Sequence, residues 1–101
     1  MKTETITIVH ATQVFDFKEY KQFKNIVHER CGYSVSDNTN LFYTSDVLFG
    51  LENNLRDELE IEDDEDESSI LELLGKSNNS EYIPVVKKIL ELESENIQII
   101  I

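Results

Sequence analysis

Nine of the eleven residues from Asp57 to Glu67 are acids: Asp57, Glu58, Glu60, Glu62, Asp63, Asp64, Glu65, Asp66 and Glu67. Only Leu59 and Ile61 interrupt them. If the run is helical it spans roughly 16 Å at about 1.5 Å per residue, or about one charge per 1.8 Å. Duplex DNA carries about one per 1.7 Å. If the run is extended at about 3.3 Å per residue, the spacing is roughly 4 Å, close to the roughly 3.4 Å of a single DNA strand. Either way its charge density is that of nucleic acid, and a cleft built to hold phosphates meets a comparable field. Leu59 and Ile61 are expected to pin part of the run to the folded body, and acids on a frame can imitate a phosphate lattice. Glu52 and Glu72 flank the run and are candidates for the same surface.

The other reactive residue types are sparse. His28 and Cys31 stand three apart on one helix face, the minimum for a thiol–imidazole pair. No neighbouring residues would orient the histidine or bind an oxyanion, and Cys31 lies on a core stripe with Phe23 and Val27, so a structural thiol is expected. His10 has no partner by spacing. The positions of His10, His28 and Cys31 match no zinc pattern. The acidic run lacks the glycine and the register of a calcium loop. No phosphate-binding glycine motif occurs. Lys18, Lys21 and Lys24 recur along one helix but read as a solvated face, with no aromatic interleaving expected. Crowded, mutually repelling carboxylates are poor candidates for one acid and one base. No cofactor, no metal and no catalytic residue is therefore expected.

The charge is lopsided as well as large. The chain of 101 residues carries 21 acids against 9 bases, a net charge of −12. Residues 1–50 hold six acids and five bases, whereas residues 51–101 hold fifteen and four. Such a chain is repelled by nucleic acid and by anionic membranes. A single cysteine excludes an intrachain disulfide framework. The longest apolar runs, such as Val47–Phe49 and Ile99–Ile101, are far too short for a bilayer, and no signal-peptide pattern is seen, so use in a cytoplasm is expected. Alanine occurs once, a usage associated with AT-rich coding in low-GC bacteria and their phages or plasmids.

The elements that must carry these residues can be placed by periodicity. Thr3–His10 alternates β-branched residues as a strand does. Asp16 and Glu19 have capping-box spacing ahead of a helix over Phe17–Cys31 that Gly32 would end. Tyr33–Ser36 and Leu41–Thr44, around Asp37–Asn40, read as a hairpin. A second helix follows, capped by Ser45 or Asp46, with the stripe Leu48, Leu51, Leu55 and Leu59; Gly50 weakens it by about 1 kcal/mol. Ser69 with Glu72 opens a short helix that Gly75 ends. Ser80 and Pro84 open a last helix over Glu81–Leu92, and Ile97–Ile101 is a strand.

The expected fold is a single small α+β domain over 1–101, ordered β-α-β-β-α-(α)-α-β. A four-stranded mixed or antiparallel sheet would carry helices on one face, as a ferredoxin-like sandwich does, with the acidic segment 57–67 as an insert and both terminal strands inside the sheet. The expected function is a small acidic inhibitor. It would bind a basic nucleic-acid-handling protein, a nuclease or defence effector, by presenting carboxylates in place of phosphates, as an anti-defence protein or as an immunity protein or antitoxin. The alternative is a non-catalytic structural or interaction module, a homodimer or assembly subunit whose acidic run only solubilises.

Overall fold

The computed structural model describes residues 7–32, 41–61 and 68–101. In chain order these form β1 (Thr7–His10), α1 (Ala11–Val14), α2 (Phe17–Asn25), β2 (Leu41–Phe42), α3 (Thr44–Glu58), α4 (Ile70–Lys76), α5 (Ile83–Ser94) and β3 (Ile97–Ile100). A π-turn over Ile26–Arg30 extends α2, and a 3-10 turn over Ser80–Tyr82 leads into α5.

The sheet is mixed, with β3 in the middle: β1 pairs with it in parallel and β2 antiparallel. Among the described residues it has three strands, not the four expected. Only β3 lies inside it; β1 is at an edge. The first arm of the expected hairpin and its turn, residues 33–40, lie outside the described residues, as does Thr3–Ile6 of the first strand. The second arm contributes only Leu41 and Phe42 to the sheet. Thr44 leaves for α3 because its N–H donates to Gln98 Oε1 at 2.7 Å and its hydroxyl donates to the Ile97 carbonyl at 3.2 Å. The central strand thus caps α3 through a side chain, and the N-cap position falls at Tyr43, two residues before Ser45 and three before Asp46.

Val9, Ile99 and Phe42 align across the three strands, and α3 and α5 pack against β3. Ile99 and Phe42 are buried there with Phe15, Phe23, Leu51, Leu55, Leu73, Leu74 and Ile89. Each such side chain contributes about 1.5–3 kcal/mol by leaving water. Phe15, Phe23 and Phe42 form a stack at the α2 end of this core, the last pair edge-on at 6.0 Å.

Local signals account for most helix starts. Asp16 accepts from the Glu19 N–H and Glu19 returns the bond to the Asp16 N–H, the expected capping box. Ser69 accepts from the Glu72 N–H. An unexpected short helix, α1, is capped by His10, whose Nδ1 accepts from the Thr12 N–H; this is a structural use of that imidazole. Gly50 sits within α3 because a Cβ there would come within 3.2 Å of Cys31 Sγ, so the glycine lets α3 approach the end of the π-turn.

Three helices end on a left-handed residue: Glu60 after α3 (φ 57°), Asn78 after α4 (φ 63°) and Asn96 after α5 (φ 57°). After α3 the Ile61 N–H donates back to the Arg56 carbonyl at 2.9 Å and the Glu60 N–H to Asp57 at 3.1 Å, the two bonds of a Schellman ending. Asparagine tolerates this conformation. Glutamate does not, and costs about 1 kcal/mol there relative to glycine.

Candidate partner-binding surface

The acidic residues singled out above fall into three groups. Glu62, Asp63, Asp64, Glu65, Asp66 and Glu67 lie outside the described residues. Glu52 and Glu58 are held by arginines of the same chain. Asp57, Glu60 and Glu72 are exposed.

Glu58 belongs to a polar hub. Arg30, delivered by the π-turn, donates from Nη1 to Glu58 Oε2 at 3.0 Å and to Asn54 Oδ1 at 3.2 Å, and from Nη2 to Asn79 Oδ1 at 2.9 Å. Asn79 is buried and also donates to the Ser77 hydroxyl and carbonyl. The hub therefore ties the π-turn, α3 and the end of α4 together. Glu58 serves the fold at this point, not a free acidic face.

Glu52 pairs with Arg56, one turn on, at 3.2 Å. Arg56 is only 7% exposed, and its Nη2 also donates to the Ser68 carbonyl at 3.2 Å. The same residue's carbonyl accepts from the Ile61 N–H. The chain thus departs at Ile61 and returns at Ser68 with both ends hydrogen-bonded to Arg56. Leu59, Ile61, Ile70 and Leu71 pack against the core on either side, and Lys76 Nζ donates to the Ser68 hydroxyl at 2.7 Å. Between these anchors stand six consecutive acids. The helix itself stops at Glu58, and the left-handed Glu60 turns the backbone, so residues 59–61 do not prolong α3.

Asp57 and Glu60 make no ion pair among the described residues, and Asp57 lies in the last turn of α3, where the helix dipole disfavours an anion. Glu72 is placed the other way, in the first turn of α4, where the dipole favours it. Acids at positions 57 and 60 therefore work against the local backbone.

No hydrogen bond joins Cys31 to His28 among the described residues. The Cys31 thiol donates to the Val47 carbonyl at 3.4 Å, and burial pushes its pKa up to about 11, away from a nucleophilic thiolate. His28 is exposed. Among the described residues no group of three His, Cys, Asp or Glu side chains is arranged to hold a metal. Every described buried polar side-chain atom has a partner. A shallow depression of about 190 Å³ beside Val14, Lys88, Glu91 and Leu92 is smaller than an ordinary ligand site. No described helix is long and apolar enough to cross a membrane.

The lysines of α2 are interleaved with rings after all. Lys21 Nζ lies 4.5 Å from the centroid of Phe17, and Lys24 Nζ lies 5.5 Å from that of Tyr20. Both are i,i+4 pairs, a spacing readable in the sequence. Arg56 was equally readable as the i+4 partner of Glu52. Its bond to Ser68 was not, because twelve residues intervene.

No family model matches the chain, and no curated protein or solved structure matches it.

Proposed function

We propose that the chain is a non-catalytic binding protein that occupies the basic cleft of a nucleic-acid-handling protein, a nuclease or defence effector, with carboxylates standing where phosphates would. The observation that supports this best is the clamping of Ile61 and Ser68 by the single buried Arg56. It attaches six consecutive acids to the frame at both ends, whereas a tail would be held at one. Asp57 and Glu60, exposed at the departing end, and Glu72, exposed near the returning end, extend the same negative field. Both Asp57 and Glu60 stand where the backbone would be better served by another residue, which fits a role outside the fold. Occlusion of the cleft suffices for inhibition. Anti-defence and toxin-immunity settings use the same chemistry, and both belong in a cytoplasm.

The test is neutralisation in place. Changing Asp63, Asp64 and Asp66 to Asn and Glu65 to Gln should leave the melting temperature unchanged or higher, since self-repulsion falls. The wild-type chain, immobilised, should retain from an extract of its source cell or that cell's host a basic protein that added duplex DNA displaces. The neutralised chain should retain none of it at low salt. Equal retention by both chains, or retention that DNA does not compete, sinks the proposal in favour of a structural or interaction module.

A further inference from the structure

We propose that the outward edge of α3 is an arginine-receiving surface, in which the exposed rings of Tyr43 and Phe49 flank Asp46 and accept a guanidinium of the basic partner. This rests on the preceding reading that the partner is a basic protein; it adds which cation is read and where.

Positions 43, 46 and 49 follow one another at helical i, i+3, i+6 spacing along α3 and its N-cap. Asn53 and Asp57 continue the same edge at four and eight residues beyond Phe49. The opposite side of the helix carries Val47, Leu48, Leu51 and Leu55 into the core. Phe49 is 68% exposed and Tyr43 is 44% exposed, so neither ring is used up in packing. Asp46 between them is exposed.

The rings of α2, exposed Phe17 and half-buried Tyr20, offer a comparison. Phe17 and Tyr20 each lie under a lysine four residues on. Phe49 has Asn53 at that position and Tyr43 has Val47. Among the described residues no lysine or arginine of the chain stacks on either ring. Two open π-faces beside a carboxylate that makes no ion pair among the described residues, on the helix that leads into the acidic half of the chain, are complementary to a cation. Arginine fits better than lysine, because a planar, weakly hydrated guanidinium stacks on a ring while its in-plane N–H groups reach a carboxylate. The edge runs to Asp57, the first acid of the run in the sequence. A cleft entering from the Arg56 end would lay its rim along Asp46 and Phe49.

The experiment titrates the isotope-labelled full chain with nona-arginine and with nona-lysine, following amide shifts and affinity. Wild type should bind the arginine peptide several-fold more tightly, with shifts at residues 43–53 as well as around 57–61. Phe49→Leu and Tyr43→Leu keep apolar bulk but lose the π-face. Each should cut arginine-peptide affinity about threefold, the size of an exposed cation–π contact, and lysine-peptide affinity less, so that the arginine preference narrows. Phe49→Tyr should retain the preference. Both sites are exposed, so melting temperatures should barely move, which controls for folding. If the leucine variants keep the full arginine preference, or residues 43–53 do not shift, this surface is not the arginine site. The acidic-interface reading survives that result provided the four-residue neutralisation still weakens both peptides. If neutralisation weakens neither peptide, the earlier reading is the one that falls. A dimer in sedimentation that Phe49→Leu abolishes would instead assign the rings to a second copy and overturn the proposal.

Discussion

Helices α2 and α3 carry the same kinds of side chain on their exposed faces and dispose of them in opposite ways. On α2 the polar and aromatic groups are spent within the molecule: Lys21 lies over Phe17, Lys24 over Tyr20, and Glu19 receives both a capping bond and Lys88 of α5 at 2.7 Å. On α3 the division runs through the helix. Glu58, though exposed, is tied to Arg30, and Glu52 to Arg56, while Asp46, Asp57 and the rings of Tyr43 and Phe49 face solvent unpaired among the described residues. Asp57 and Glu58 are neighbours in the chain and have unrelated roles. A residue type and a count of charges therefore do not define a surface. What defines it is which charges the fold has already neutralised.

The largest expected effect sets the acids that follow α3 in the sequence against the lysines of α2. Neutralising Asp63, Asp64, Glu65 and Asp66 should weaken partner binding by orders of magnitude at low salt, and less at high salt as screening takes over. Changing Lys18 and Lys21 to Gln should leave the affinity within about twofold, because single solvent-exposed charges contribute little. Calorimetric titration at two salt concentrations checks both, and equal losses would erase the distinction. Next comes Arg56→Met. It strips the buried Ser68 carbonyl and the Glu52 carboxylate of a donor and should cost about 2 kcal/mol in urea unfolding. Lys88→Met on the α2 side, where the ammonium is partly exposed, should cost about 0.5 kcal/mol.

Glu60→Gly should raise stability by about 1 kcal/mol by relieving the left-handed glutamate, while weakening binding by removing a carboxylate. Asn78→Gly, at the equivalent end of α4, should change stability by only a few tenths of a kcal/mol. Smaller still, Phe17→Ala should cost about 0.5 kcal/mol through loss of its ring contact with Lys21, and Phe49→Ala close to nothing. A substantial loss of stability at Phe49 would show that its ring supports the fold. Finally, Cys31 should alkylate slowly at neutral pH. Its folded pKa of about 11 lies above the ordinary value of 9.0, so the folded state holds the proton more tightly. Its contribution to stability is thus constant below pH 9 and declines as pH rises from 9 towards 11. Thermal melts of wild type and Cys31→Ala across that range check the sign.

Some of this was visible in the chain alone. The Asp16–Glu19 and Ser69–Glu72 pairs start helices because a cap needs only residues three apart. The stripe Leu48, Leu51 and Leu55 goes inward because it lies on one side of a helix. Gly50 is a flaw in α3 by helix propensity alone; the sulfur of Cys31 packed against it is what favours the missing Cβ. The start of α3 was misplaced because Gln98, more than fifty residues away, supplies its cap. Leu41–Thr44 reads as a longer strand than it is because Tyr43 and Thr44 are β-prone by type, yet Thr44 is drawn into α3 by bonds to β3; the fourth expected strand, Tyr33–Ser36, lies outside the described residues.

Composition and spacing were enough for the net charge, the placement of nearly all the excess acid in the second half, the amphipathic helices and the absence of a disulfide framework. These depend on residue type and on neighbours within a turn. The central position of β3, the withdrawal of Glu52 and Glu58 into ion pairs and the gathering of Ile61 and Ser68 onto Arg56 needed the folded chain. Each depends on groups from separate elements meeting at hydrogen-bond distance, and packing of the shared core determines which groups meet.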